Sequence, residues 1–232
     1  MTTQQLTEAQ LEQLRALDSS AVANAVELFD VRLRNTGFTD SGVHCMFPDF
    51  PPMVGYAATA RLRTSDPPME SHSYYNRTDW WNHILSVPAP RIVVVQDVDK
   101  HPGLGAFIGE VHANILRAMG CVGVVTNGAV RDLRAIRNLK LQTFAGNVSV
   151  SHAYAHIFDF GGGVTVGRMQ VKPGDLLHGD AHGVLTIPLE IADKVPDAAS
   201  QIVRKKQSVV ALCHSREFTL DKIRDAVKEW KP

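Results

Sequence analysis

The sequence has no excess of either charge: Lys plus Arg and Asp plus Glu number 24 each, so the formal net charge is zero. No net field draws the chain to nucleic acid or to an anionic membrane, and any partner must be recognised by a local site. Cysteine is scarce. The three residues, Cys45, Cys121 and Cys213, lie far apart and form no C-x-x-C pair, which argues against a disulfide framework and a thiolate zinc site. Cys121, beside an expected strand, reads as a small core residue. No apolar run nears membrane-spanning length, and the opening MTTQQLTEAQLEQLRAL lacks the basic start and apolar centre of a signal peptide. A cytoplasmic protein with no membrane partner is expected. The 10 histidines follow no H-E-x-x-H or comparable metal pattern.

What is present is an ordinary globular composition, 44% hydrophobic and 21% charged over 232 residues, enough for one substantial core. No linker divides it, so residues 1–232 read as a single domain with N-terminal helices in 1–30 and C-terminal helices in 189–232. The first two helices are expected at 8–17 and 20–29, the second capped by the hydroxyl of Ser19 or Ser20. Residues 55–62 read as a strand, 65–73 as a polar, Pro-rich excursion, and 76–86 as a helix burying Trp80, Trp81, Ile84 and Leu85. From Arg91, strands and helices alternate at 92–95, 110–119, 122–125 and 132–139. This order predicts parallel strands joined by right-handed crossovers, with 143–150 continuing the sheet. HIFDFGGGVTVGRMQVKPGDLLHGDAHGVLTIP, punctuated by Gly and Pro, predicts antiparallel or barrel-like strands. Helices at 189–213, interrupted at Pro196, and 219–230 complete an α/β layered domain.

In parallel α/β sheets, ligands bind beyond the carboxyl ends of strands, where loops enter helix N-termini. Two such loops follow one another here. HPGLGAFIGEVHANIL sets Gly103, Gly105 and Gly109 before a helix beginning near Glu110. GVVTNGAVRDLRAI breaks an apolar run with Asn127-Gly128 and places Arg131 and Asp132 side by side where the next helix begins. Neighbouring parallel strands would bring both loops to one sheet edge.

The helix-start amides of Val111 and His112 suit a carboxylate or phosphate oxygen, and Arg131 adds a planar fork for a carboxylate. Glu110 and Asp132 beside an anion site would repel the ligand unless a cation lay between them. That points to a hard divalent ion such as Mg²⁺, held by one or two carboxylates and water. Each residue also has a plainer role: Asp132 as a helix-dipole acid, Arg131 as its surface partner, Glu110 as a capping-box acid. His152 and His156 could ligate a metal if helical; on a strand or loop they are satisfied structural histidines. TDWWNH, at 78–83, packs its tryptophans in the core or at a subunit contact. Gly161-Gly162-Gly163 has no following helix and makes no nucleotide cradle.

Gly109-Glu110 and, after twenty intervening residues, Arg131-Asp132 behind Gly128-Ala129-Val130, together with VKPGDLLHGDAHGVLTIP, resemble the RraA-like family over residues 19–188. That family includes class II pyruvate aldolases acting on 4-hydroxy-4-methyl-2-oxoglutarate and 4-carboxy-4-hydroxy-2-oxoadipate. The resemblance implies a layered β/β/α core of the swivelling phosphohistidine-domain type, flanked by helices and assembled as a homotrimer or homohexamer with sites between subunits. It implies that Asp132 binds Mg²⁺ or Mn²⁺, that Glu110 contributes through metal-bound water, and that Arg131 with the helix-start backbone of Gly109, Val111 and His112 holds a 2-keto acid. The activity implied is metal-dependent cleavage of a 4-hydroxy-2-oxo acid to pyruvate through an enolate, with oxaloacetate decarboxylation as a companion.

Three features depart from the family aldolases. Glu110 stands where aspartate is usual in some of them, Ala135 stands where another acid often lies, and the usually aspartate-rich turn is Asp180-Ala181-His182-Gly183 after His178. Family members lacking a complete acid set inhibit ribonuclease E. Retention of Glu110 and Arg131-Asp132 favours catalysis, and a methyltransferase label sometimes given to such sequences finds no support in the glycine pattern.

Overall fold

A computed structural model describes residues 5–69 and 78–229. Part of the expected excursion at 65–73, the start of the helix expected at 76, and residue 230 lie outside the described residues. The chain begins with α1 (Glu8–Arg15) and α2 (Ser19–Leu28), then the two-residue β1 (His44–Cys45) and the long β2 (Met53–Arg63). After α3 (Asp79–Ser86) come β3 (Arg91–Asp97), β4 (Ala106–Ile108) and α4 (Glu110–Ala118). The order strand, short strand, helix then repeats as β5 (Cys121–Thr126), β6 (Ala129–Val130) and α5 (Leu133–Asn138). Strands β7 (Gln142–Ala145), β8 (Asn147–Val148), β9 (His156–Phe160), β10 (Val164–Val166), β11 (Met169–Val171), β12 (Leu176–Asp180) and β13 (Gly183–Ile187) precede α6 (Val195–His214) and α7 (Leu220–Glu229).

The main sheet runs β1-β7-β5-β3-β2-β12-β13. Its centre, β7-β5-β3-β2, is parallel, and the strands added around it are antiparallel. Because β2 has 11 residues, β12 pairs with its first part and β9 with its last. The sheet curls until its two sides nearly meet: a Cβ added at Gly179 on β12 would stand 3.0 Å from the Phe144 ring on β7.

This curl explains the unbroken run Ile92 to Val95, every residue of which is fully buried. Ile92 and Val94 pack inside the curl with Phe144, Leu177 and the β10–β11 hairpin, while Val93 and Val95 face outward into the helices. Two-sided burial selects a β-branched run over an alternating one. The second sheet is small and wholly parallel, in the order β4-β6-β8.

Several expectations change in detail. The stretch expected as one strand at 143–150 is two, β7 in the main sheet and β8 in the small one, because the chain leaves one layer for the other at Gly146. Asp18 caps α2, its carboxylate accepting from the Ala21 amide and the Ser20 hydroxyl, both at 2.6 Å. Ser19 is turned inward instead: its amide donates to Asp180 Oδ2 at 2.7 Å and its hydroxyl lies 3.1 Å from His178 Nδ1. His178 Nε2 in turn lies 3.1 Å from the carbonyls of Leu14 and Leu17. Pro196 starts α6 in its first turn rather than interrupting a helix from 189. Leu85 is 51% exposed, so α3 buries Trp80 and Ile84 without it. Among the described residues no helix is long and apolar enough to cross a membrane.

Candidate functional site

Both helix starts hang on the small sheet. Strands β4 and β6 lie side by side in parallel and each feeds directly into a helix, α4 or α5. The loops expected at the carboxyl ends of the main-sheet strands are therefore carried one layer outward. Gly109, Glu110, Val111, His112, Arg131 and Asp132 all line one cavity of about 490 Å³ at this junction. Trp81, Ile115 and His152 complete its lining.

Asp132 is held in the left-handed region, φ 55° and ψ 38°, and makes no side-chain cap bond to its own helix. Its Oδ2 instead accepts the Glu110 amide at 3.0 Å, across the cavity floor. Gly109, the N-cap of α4, has no side chain with which to do this. A Cβ there would stand 2.7 Å from Asp132 Oδ2 and 3.2 Å from Arg131 Cγ and Nε, so the contact between the loops requires glycine.

The Arg131 guanidinium lies with Nε 3.5 Å from Asp132 Oδ2 and reaches the Val150 carbonyl at 3.4 Å. Its Nε is buried and, apart from this ion pair with Asp132, makes no hydrogen bond among the described residues. In α4, Asp132 takes the Glu110 amide and the Ala113 amide closes the first helical bond on Gly109. The intervening amides of Val111 and His112 project from the helix end, where the dipole favours negative charge.

The His112 ring stacks on Phe107 at 4.8 Å between centroids, and Phe107 in turn meets Trp80 at 6.0 Å. Burial first, and then the neighbouring charge of His152, push His112 down to about 4 against an opposing hydrogen bond with the Phe107 backbone. At neutral pH its side chain is an uncharged part of the cavity wall. His152 is on a loop and His156 on β9, with Nδ1 on the Tyr154 carbonyl at 2.7 Å, so they form no i, i+4 metal pair.

Three lining residues were not picked out for this site from the sequence. Ile115 is one turn from Val111 on the same face of α4, a spacing that was available. Trp81 and His152 arrive from α3 and from the loop before β9, and no local pattern announces either.

Two adjoining strand-to-helix junctions of this α/β protein thus pool an arginine, two carboxylates and helix-start amides around one cavity. Residues 16–186 match the RraA-like family, described as Aldolase/RraA, and the chain belongs to that family. A relative from Halalkalibacterium halodurans, named "Putative 4-hydroxy-4-methyl-2-oxoglutarate aldolase", is 31% identical over 121 residues, 52% of this chain and 55% of the relative. The match thus spans just over half the length of that curated relative. Among solved structures, an uncharacterized protein from Pseudomonas syringae pv. tomato superposes with a TM-score of 0.74 at 19% identity, covering 97% of this chain and 96% of that one. Streptomyces coelicolor RraAS2, described as an unusual member of the RNase ES inhibitor RraA protein family, does so at 0.68 and 20%, covering 88% and 97%. At these identities the structures establish the fold alone.

Proposed function

We propose that the chain is a divalent-metal-dependent lyase that cleaves a 4-hydroxy-2-oxo acid to release pyruvate, with oxaloacetate decarboxylation as a companion activity. The observation that carries this is the bond from the Glu110 amide to Asp132 Oδ2, which holds two carboxylates, Arg131 and the α4 start around one cavity.

The donor set fits a hard cation. Glu110 and Asp132 offer only carboxylate oxygens, and among the described residues no group of three or more His, Cys, Asp or Glu is placed to hold a metal ion, so water or substrate would have to supply the other ligands. One or two carboxylates plus water is how Mg²⁺ is commonly held, and Mn²⁺ takes the same ligands. When bound, such an ion supplies Lewis-acid polarisation of a keto acid's oxygens. Arg131, its Nε already beside Asp132, takes the pyruvyl carboxylate with its guanidinium, and the amides of Val111 and His112 bring further donors to the same end of the substrate. As the bond between C3 and C4 breaks, negative charge spreads onto the former keto oxygen. Donors fixed beforehand by the backbone stabilise that charge more than they stabilise the substrate. Loss of carbon dioxide from oxaloacetate gives the same enolate, hence the second activity.

Exposed apolar side chains flank the cavity: Val150 is 96% exposed, Val111 70% and Leu104 58%. A patch of this kind beside a polar site supports burial against a second copy, as in a homotrimer or homohexamer whose neighbouring subunit would complete the wall. The layering of curled sheet, small parallel sheet and helices supports a core of the swivelling phosphohistidine-domain type. The test is pyruvate release from 4-hydroxy-4-methyl-2-oxoglutarate and from oxaloacetate, with Mg²⁺ and with EDTA. Full activity in EDTA, or no pyruvate from either compound, overturns the proposal. Inhibition of ribonuclease E by an otherwise inactive protein would assign the chain to regulation.

A further inference from the structure

The cavity contains an imidazole whose protonation pattern is set by the fold. His152 Nδ1 lies 2.5 Å from the carbonyl oxygen of Ala106. A carbonyl only accepts, so Nδ1 carries the proton, and the neutral ring presents Nε2 as a bare acceptor on its other side. His152 lines the cavity, and Nε2 is the ring nitrogen that the Ala106 carbonyl does not engage.

The loop that carries His152 is rigidly seated. The Ala106 amide donates to the Ser151 carbonyl at 2.8 Å, the Ser149 hydroxyl to the Leu104 carbonyl at 2.9 Å, and the Ala153 amide to Ser151 Oγ at 3.0 Å. A Cβ at position 105 would stand 2.3 Å from the His152 carbonyl, so Gly105 is needed for the loop to lie this close to β4. Ala153 is forced to φ 46°. Together with Asp132, it makes two non-glycine residues in the left-handed region beside one cavity, and strain of this kind gathers where side chains must be aimed. The other titratable and charged groups facing His152 are Glu110, Asp132, Arg131 and His112. The two carboxylates and Arg131 are committed to the cation and the anion, and His112 is stacked on Phe107.

We infer that His152 is the acid–base residue of this site, taking the proton from the substrate's 4-hydroxyl and returning it to C3 of the pyruvate enolate. The inference rests on the lyase reading above. The hydroxyl proton passes to Nε2, and the O–H electron pair becomes the second bond of a carbonyl at C4. The C3–C4 pair moves to form the enolate double bond between C3 and C2, and its charge is received by the oxygen on C2. The imidazolium then gives its Nε2 proton to C3, which makes the methyl group of pyruvate and restores neutral His152. Nothing is oxidised or reduced, and no co-reactant enters.

The test variant is His152→Asn, whose amide nitrogen takes the place of Nδ1 and keeps the bond to Ala106 while removing Nε2. Aldol cleavage should lose about 10²- to 10⁴-fold in kcat with KM little changed. Oxaloacetate decarboxylation removes no hydroxyl proton, and its enolate can leave the site and take its proton from water, so it should fall only a few-fold. Metal-dependent exchange of pyruvate methyl hydrogens into D₂O should likewise be present in the wild type and lost in H152N. Wild-type cleavage by H152N overturns the inference, and so does an equal loss of both activities, which would mark a merely structural residue. A wild-type protein inactive on both compounds defeats the lyase reading itself, and the inference with it.

Discussion

Asp132 caps a helix that is not its own: its Oδ2 accepts the Glu110 amide at 3.0 Å while its backbone, at φ 55°, stands at the head of α5. The cap is worth about 1 kcal/mol and the left-handed backbone costs of the order of 1 kcal/mol, so local stability alone gives no reason for aspartate here. Asparagine would cap as well and tolerate that backbone as well. What aspartate adds is a negative charge, placed beside Arg131 in the cavity.

Asp132→Asn is therefore expected to leave unfolding free energy within about 0.5 kcal/mol of wild type while metal-dependent pyruvate release drops by about 10²-fold or more. Urea titration and a coupled pyruvate assay check the pair of outcomes. Stability and activity falling together would make Asp132 a structural residue.

Gly109→Ala tests the contact from the other side. The backbone at φ −135° accepts alanine, but its methyl group would stand 2.7 Å from Asp132 Oδ2. The carboxylate must swing away, so activity should fall steeply with a stability cost of about 1 kcal/mol, the value of the lost cap. Unchanged kinetics in this variant would show that the bond between the two loops is dispensable.

Arg131→Lys keeps the charge and loses the fork. A bidentate grip on a carboxylate does not survive that exchange, and kcat/KM should fall by about 10- to 100-fold, with less harm from Lys than from Ala. Equal activity of the Lys variant and wild type would mean that only charge is read at this position.

Acid should loosen the attachment of the N-terminal helices. His178 is fully buried, and burial holds its pKa below the ordinary value against the opposing charge of Asp180. The folded state therefore resists a proton that the unfolded chain accepts below about pH 6.5, so stability falls as pH drops through that value. Thermal unfolding between about pH 7.5 and 5.5 should show the fall, and His178→Gln should flatten it. Some slope will remain, because His83 and His112 are shifted in the same direction. An unchanged slope in the variant would remove His178 from the account.

The parallel centre of the sheet was legible because runs such as Ile92 to Val95, buried on both faces, leave no doubt about their environment. The two helix starts were legible from glycine placement and charge. Strands β4, β6 and β8 were not, since two or three residues carry no period. The direction of the Asp132 carboxylate depends on α4, more than twenty residues earlier, and no local rule reports it. The Asp180 turn read as a departure from an acidic family pattern. In the fold, Asp180 and His178 fasten Ser19 and the carbonyls of Leu14 and Leu17, about 160 positions away. The reason for its composition therefore lies in tertiary contact.

The small sheet has a consequence for descent as well as for chemistry. The carboxylates, the arginine and the helix-start amides are borne by β4, β6 and the helices that follow them, whereas the curled sheet closes its own core around Phe144 and Leu177. Phe107, Ile108, Leu116, Val130 and Ile136 tie the satellite layer into the outer core, but Glu110, Val111 and Asp132 are exposed at its helix starts, so a lineage can exchange one acid for another there without renegotiating that packing. That separation gives a physical reason why one family description can join aldolases to RraA proteins.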